Sequence, residues 1–380
     1  MGPVFIYEWV TAARRWQMYA LRSLFVAALL FAVMLVWVKN VEPSTQFGPD
    51  RKAYEKMGEA IFYAFVGTQL AVILLAAPAA TAGSVCLDKA RGNLLHLLVT
   101  DLTSREIIVG KLCARLIPTL GLVLSSVPVL MACGWFGGLD LGALLGAYTV
   151  TAGVAVFGCS LTLLLSVWGR KTHEVLIGAY VAEALILLAY GAALMIEEQL
   201  RLTRGALSGT MFWTNPFVLA YAPYLSPGAV EPADYAWFLG ACLALSAVCT
   251  ALGIVTVRPV TVRHGSVPQK QSRRRAVARL RRPWTPTLDK NPVLWREWHR
   301  QRPSRWTRLV WLVYGVVAAL ATFSLALSAL FKGTRNDLAG MAAFTTGMQV
   351  SVGLLLVSVS AVTALSEERV RGTLDLLMAT

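Results

Sequence analysis

Seven stretches of this 380-residue chain continue without a charged residue for much or all of the thickness of a lipid bilayer: 23–38, 60–87, 116–139, 141–169, 235–257, 309–331 and 338–366. An eighth, 175–196, is interrupted only by Glu183. A hydrocarbon layer about 30 Å thick takes roughly 20 apolar helical residues, and only helices or closed barrels satisfy every backbone group inside it. The pattern therefore predicts an all-α fold, a polytopic transmembrane helix bundle of about eight spans. With 56% of residues hydrophobic and 15% charged, ordinary soluble folds are excluded. The first run is short, and Arg22 and Lys39 are expected to snorkel outward and lengthen it. Residues 1–20 carry Glu8, Arg14 and Arg15 and lack an apolar core ahead of a small-residue cleavage site, so no signal peptide is expected.

A net charge of +14 invites a nucleic-acid reading, but in so apolar a chain the placement of the basic residues is the sharper test. With the N-terminus inside, eight crossings place all the Lys and Arg on the cytoplasmic side except Lys39, Arg51, Lys52, Lys56, Arg201, Arg204, Lys332 and Arg335. This asymmetry predicts a multi-pass protein of the cell (inner) membrane with a cytoplasmic N-terminus. The densest cluster, Arg273 to Arg275 with Arg279, Arg281 and Arg282, falls beside the membrane, where each basic residue gains about 1 kcal/mol from anionic lipid. No aromatic platform or reader module accompanies it, so the lipid bilayer is the expected partner and nucleic acid is not.

Chemistry has little footing. The six cysteines form no C-x-x-C pair, the four histidines stand apart, and neither H-E-x-x-H nor G-x-S-x-G occurs, so no metal site and no catalytic residue is expected.

The chain contains an internal repeat. Residues 2–9 align with 291–298, sharing Pro, Val, Glu and Trp at one spacing. Arg91-Gly92-Asn93-Leu94 and 97–100 align with Arg371-Gly372-Thr373-Leu374 and 377–380, and each pair of segments brackets two spans. The organisation expected is a first unit of six spans over 1–265, a basic linker over 266–290, and the start of a second unit over 291–380. Thr380 corresponds to Thr100, so the second unit is expected to continue further, giving about twelve spans in all.

Each unit opens with an amphipathic stretch. Phe5, Trp9, Ala12 or Ala13, Trp16 and Ala20 recur at helical spacing, which predicts a helix lying in the headgroup layer; Asn291 and Pro292 suit the start of its counterpart. After the second span comes a denser signal. Asp88 and Arg91 flank a bend, Gly92 can end a helix, and Leu94, Leu97 and Leu98 place an apolar stripe on a short helix. Thr103 and Glu106 then form a T-x-x-E capping box, followed by Gly110 and Lys111. A compact knob of this kind suits a groove on a soluble partner.

These segments resemble the type-2 permeases of ATP-binding cassette exporters, whose shared motif runs from an acidic–basic pair through Arg-Gly-Thr-Leu, an acid and a Leu-Leu pair to Thr-Pro-Leu-Ser, Arg-Glu-Ile and Gly-Lys. The second unit matches at Glu367, Glu368, Arg371, Gly372, Thr373, Leu374, Asp375 and Leu377. The first matches at Arg91, Gly92, Leu94, Leu97, Leu98, Ser104, Arg105, Glu106, Gly110 and Lys111, and departs with Asn93, Leu95 and Asp101. What the resemblance implies is a permease whose coupling helices, formed by 88–106 and 367–380, sit in clefts of a separate, dimeric cytoplasmic ATPase. ATP and Mg would then bind that partner, because this chain lacks the G-x-x-x-x-G-K-[ST] phosphate loop. A second permease copy is a further partner so implied.

Two other features stand out. The segment 197–234, with Pro216, Pro223, Pro227, Pro232 and five aromatics between Phe212 and Tyr224, suits short interfacial or re-entrant helices over the outer mouth, or an aromatic loop on the headgroups. Glu183, inside the fifth span, costs at least ~2.5 kcal/mol there and either meets a ligand or proton or pairs with a Ser, Thr or Tyr to hold packing. An ion-coupled transporter or channel working through Glu183, and a non-transporting scaffold or sensor, are the alternatives to an exporter. Pro78, Pro118 and Pro128 are expected to kink their helices.

Overall fold

The computed structural model of the protein describes residues 2–14, 16–40, 51–134, 140–169, 171–200, 209, 212–265 and scattered helical residues between 310 and 358. Two compact units divide the chain, Met1–Thr261 and Val262–Thr380. Among the described residues every regular element is a helix. In order along the first unit they are α1 (Pro3–Ala13), α2 (Trp16–Asn40), α3 (Arg51–Thr81), α4 (Gly83–Arg91), α5 (Asn93–Val99), α6 (Ser104–Leu124), α7 (Val127–Gly134), α8 (Leu141–Trp168), α9 (Thr172–Leu200), α10 (Pro216–Leu225) and α11 (Pro232–Gly265).

Five stretches are long and apolar enough to cross a membrane: Met18–Val38, Lys56–Lys89, Ser104–Met131, Leu141–Trp168 and Pro232–Val262. The protein is thus a multi-pass membrane protein, with five crossings supported by length and composition among the described residues. The expected span over 175–196 falls on α9, one unbroken helix of 29 residues. The remaining two, 309–331 and 338–366, lie largely outside the described residues. Where they are described, the second unit is helical, and Tyr314 Oη donates to the Gln349 carbonyl (2.8 Å) while Gln349 Nε2 donates to the Ala318 carbonyl (3.0 Å).

α8 is the axis of the first unit, buried along most of its length, whereas α2 and α11 leave most of theirs exposed. Phe62, Phe65, Leu70 and Ile73 of α3 pack with Val150 and Ala155 of α8, all without solvent exposure. The outward residues of α2 and α11, among them Leu24, Phe31, Met34, Trp237, Val248 and Val255, are large and apolar, as a lipid-facing surface requires.

The core also carries a chain of polar groups. Gln69 Nε2 on α3 donates to Thr151 Oγ1 on α8 (3.2 Å), and the Ser126 hydroxyl donates to Gln69 Oε1 (3.0 Å). Ser126 Oγ also lies 2.6 Å from the Val123 carbonyl, so its one hydrogen is shared between that oxygen and Gln69 Oε1, and it lies 2.7 Å from the Tyr148 hydroxyl. Gln69, Ser126 and Thr151 are all at or below 1% exposure, so each satisfies the others where water cannot.

Local geometry departs from the sequence expectations at four places. The amphipathic stretch is not one helix to Ala20: α1 stops at Ala13, and Trp16 and Ala20 belong to the spanning helix α2. The third span does not begin at 116, because the capped helix α6 starts at Ser104 and carries Glu106, Lys111 and Arg115 before its apolar run. Nor is it one kinked helix: it breaks at Ser125–Ser126, where Pro128 cannot donate to the Leu124 carbonyl and both serine hydroxyls turn back on helix carbonyls. Arg22 does not reach outward; its guanidinium lies over α6, where a side chain on Gly121 would come within 2.9 Å of it. The outer segment is better anticipated. Pro216 opens α10 behind Asn215, whose side chain accepts from the amides of Phe217 and Val218, and the Tyr224 ring lies tilted against Phe62 with centroids 4.6 Å apart.

Candidate functional site

The elbow between α4 and α6 forms as its residues dictate. α4 ends at Arg91 because Gly92 adopts a left-handed conformation (φ 77°, ψ −6°) and its amide returns to the Lys89 carbonyl (3.2 Å). α5 follows at once and stops at Thr100, which turns extended. Thr103 then caps α6 reciprocally: its hydroxyl accepts from the Glu106 amide, and Glu106 Oε2 accepts from the Thr103 amide (2.9 Å). A Cβ on Gly92 would meet nothing within 4 Å, so backbone strain alone opposes it. Gly92→Ala is expected to lower stability by about 1–2 kcal/mol, the left-handed penalty, measured as an earlier onset of cysteine labelling by a thiol-reactive dye on heating.

α4 is held at its other end by a residue far off in sequence. Ser166 Oγ of α8 accepts from the amides of Val85 (3.2 Å) and Cys86 (3.0 Å) and donates to the Ala82 carbonyl (2.8 Å), capping a helix whose own N-cap, Ala82, has no side chain to do so. In return Lys89 Nζ donates to the Val167 and Gly169 carbonyls at the end of α8, both at 2.6 Å.

Lys111 joins the elbow to α1. Its side chain is 1% exposed, and its ammonium contacts Glu8 Oε1 of α1 and Asp88 Oδ2 of α4, each at 2.5 Å. Arg115 Nη2, one turn further along α6, reaches Glu8 Oε2 at 3.1 Å. Gly110 explains how α1 comes so near, since a Cβ there would sit 3.3 Å from the Phe5 amide nitrogen and 3.5 Å from Val4 Cβ. The Gly-Lys pair thus has a geometric logic: the glycine admits the backbone of α1 and the lysine ties its carboxylate down. Two acids and two bases share this one site across α1, α4 and α6, largely out of water, where the charges stabilise only if all are present.

The structure brings Asp88, Glu106 and Lys111 into the joints of this elbow and leaves Arg91 and Arg105 exposed beside it. Ser104 opens α6. The apolar stripe is turned the other way from the expected docking face. Leu94 has no exposure and packs with Val85, Ile107, Ile108 and Leu163, while Leu97 and Leu98 lean on the same cluster. The outward face of α5 is Asn93, His96 and Val99, the last 82% exposed. Leu94 is buried, and Leu97 and Leu98 partly so, because the bundle offers this short helix an apolar surface. Glu367, Glu368, Arg371, Gly372, Leu374 and Asp375 lie outside the described residues.

Sequence reasoning missed Ser166 and Lys89 as tethers, which no local spacing reveals. Glu8 carried a signal, being one of the four residues shared between the two unit openings. Glu183 lies apart from this cluster. It is 7% exposed on α9, and it does not pair with a Ser, Thr or Tyr as packing would have required: its Oε1 has no hydrogen-bond partner. Among the described residues no group of three His, Cys, Asp or Glu side chains is placed to hold a metal ion.

No family model matches the chain, and no curated protein matches it either.

Proposed function

We propose that this multi-pass protein is the permease subunit of an ATP-driven exporter of the ATP-binding cassette class, worked by a separate cytoplasmic ATPase that carries the ATP and Mg. The observation that supports the reading most is the Lys111 junction. A left-handed turn at Gly92 joins α4 to the short helix α5, and the same corner is ion-paired through Asp88 to Lys111 of α6, which also holds Glu8 of α1. A push on α5 would be delivered to α1 and α6 together, which is what a part receiving work from a motor needs. The resemblance of 88–111 and 367–380 to coupling segments points the same way.

In this reading the contact with the ATPase is made by the outward face of α5 and the flanking charges Arg91, Asp101 and Arg105. Leu94, Leu97 and Leu98 hold the helix in place from behind. The cargo path would lie among the spans, and alternating exposure of that path would follow movement of the elbow.

Photocrosslinking from position 96, on the same outward face of α5, in native membranes tests this. The expected product joins the chain to a soluble protein that hydrolyses ATP, and Val99→Glu removes it without lowering thermal stability by more than about 0.5 kcal/mol, as befits an exposed site. Crosslinks only to proteins without nucleotide hydrolysis would overturn the reading and favour a scaffold or sensor.

A further inference from the structure

Glu183 is the buried charged group that the elbow does not use. It sits about 16 Å along α9 from Thr172 at 1.5 Å per residue, roughly half of a 30 Å hydrocarbon layer. Its Oε1 points between α3 and α8: a Cβ on Gly158 would come 3.0 Å from that oxygen and 3.4 Å from Ala77 Cβ, with Pro78 Cδ at 4.0 Å. Gly158 and Ala77 therefore leave room beside the carboxyl that larger residues would fill.

The polar hydrogens around the site are already committed. The Tyr180 hydroxyl donates to the Leu75 carbonyl (2.8 Å), the Thr81 hydroxyl to the Ala77 carbonyl (2.9 Å), and the Thr162 hydroxyl to the Gly158 carbonyl (2.7 Å). The Cys159 thiol is directed at the Ala77 carbonyl and Thr119. Pro78 has no amide hydrogen for the Leu74 carbonyl, so a second acceptor on α3 lacks its helical donor. No Lys or Arg pairs with Glu183 among the described ion pairs. Among the described residues these hydrogens are spent on other acceptors, and Glu183 Oε1 is left without a donor. It suits a ligand that brings hydrogens and positive charge, and it repels an anion.

Access selects further. The next residues on α9, Ala184 and Leu185, are exposed, Leu185 to 65%, on the helix that the sequence predicts as the fifth span. A ligand reaching Glu183 past them comes through lipid.

We propose that Glu183 is the binding group for the ammonium end of an amphipathic organic cation, whose apolar part lies along the α9 face. This rests on the transport reading above and names its substrate class: lipophilic amines.

The test uses the full chain in phospholipid nanodiscs, without any ATPase, so that it can fail independently of the crosslinking experiment. N,N′-dicyclohexylcarbodiimide modifies carboxyls in apolar surroundings, and peptide mass spectrometry locates the product. Glu183 is expected to be labelled, and Glu183→Gln to lose that label. Dodecylammonium at ten times its dissociation constant should cut labelling roughly tenfold, while dodecanol and dodecyl phosphate leave it unchanged. Gly158→Ala, which keeps the carboxyl but crowds it, should retain labelling and lose protection by the amine.

Protection by dodecanol as well as the amine would show a merely apolar pocket and overturn the proposal. Labelling that no amine relieves would show a group that takes only a proton, overturning the substrate class in favour of ion coupling. Absence of label on Glu183 would show a carboxyl the ligand cannot reach, and would also overturn it.

Discussion

Lys111→Ala is expected to destabilise the protein by about 3–5 kcal/mol, the cost of removing one member of a buried ion cluster and leaving the others without a counter-charge. Glu8 and Asp88, whose side chains are only 14% and 22% exposed, would then lie 2.5 Å from where the ammonium had been, with Arg115 answering Glu8 alone. The midpoint of thermal unfolding in mild detergent should fall accordingly. The triple change Glu8→Gln, Asp88→Asn, Lys111→Met discriminates the cause. It removes Lys111 together with both carboxylates it balanced, leaving the part-exposed Arg115 to solvent, and is expected to recover much of the loss, because neutral replacement of buried ion partners together is often neutral or stabilising. Recovery by Lys111→Met alone to the level of the triple variant would show that Lys111 works through its aliphatic packing instead. If the elbow transmits force, the triple variant should be stable yet uncoupled, with ATP hydrolysis by the crosslinked partner no longer driving export.

Leu94→Ala carries the second large effect, about 2–5 kcal/mol for emptying a fully buried leucine site. Leu94 is the anchor of a seven-residue helix that has no other fully buried leucine among its described side chains, and so short a helix does not persist in water by propensity. Its loss should therefore release α5 locally before the bundle unfolds. Trypsin added to sealed native membrane vesicles of the appropriate orientation should cut after Arg91 and Arg105 markedly faster than in the wild type, both side chains being exposed on either side of α5. Equal cutting rates with a lowered unfolding midpoint would place the effect in the core rather than in the elbow. Val99→Glu, on the outward side, is the matched contrast, leaving cutting unchanged.

Much of this was legible in the residues. Uncharged runs of bilayer length predicted the spanning helices α2, α3, α8 and α11, and a glycine after Arg91 with T-x-x-E twelve residues later predicted a turn and a cap, both of which the structure has. These are local signals, each complete within one helical turn or one face. What was not legible depended on distance in sequence. The leucine stripe of α5 could be read for its existence but not its direction, since a stripe says only that apolar surface lies nearby, and Val85 and Ile107 supply it. Ser166 capping α4 needed the crossing of α4 and α8. The cap placed the start of α6, but its continuity into the third span was obscured because Lys111 and Arg115 read as charges outside the membrane, when Glu8 and Asp88 pair with the first and Glu8 with the second. Arg22 was misjudged for a related reason: a notch at Gly121 gave it somewhere nearer to go.

The polar chain through the core, Thr151 to Gln69 to Ser126 to Tyr148, restricts the kinds of rearrangement open to the bundle. Screwing α3 or α8 forward by a single residue swings its side chains through about 100° and would strand an amide or hydroxyl in oil. Tilting about that same polar node keeps the donors and acceptors in register. The inner helices are therefore free to rock like levers on a shared fulcrum while being denied the motion of a threaded bolt.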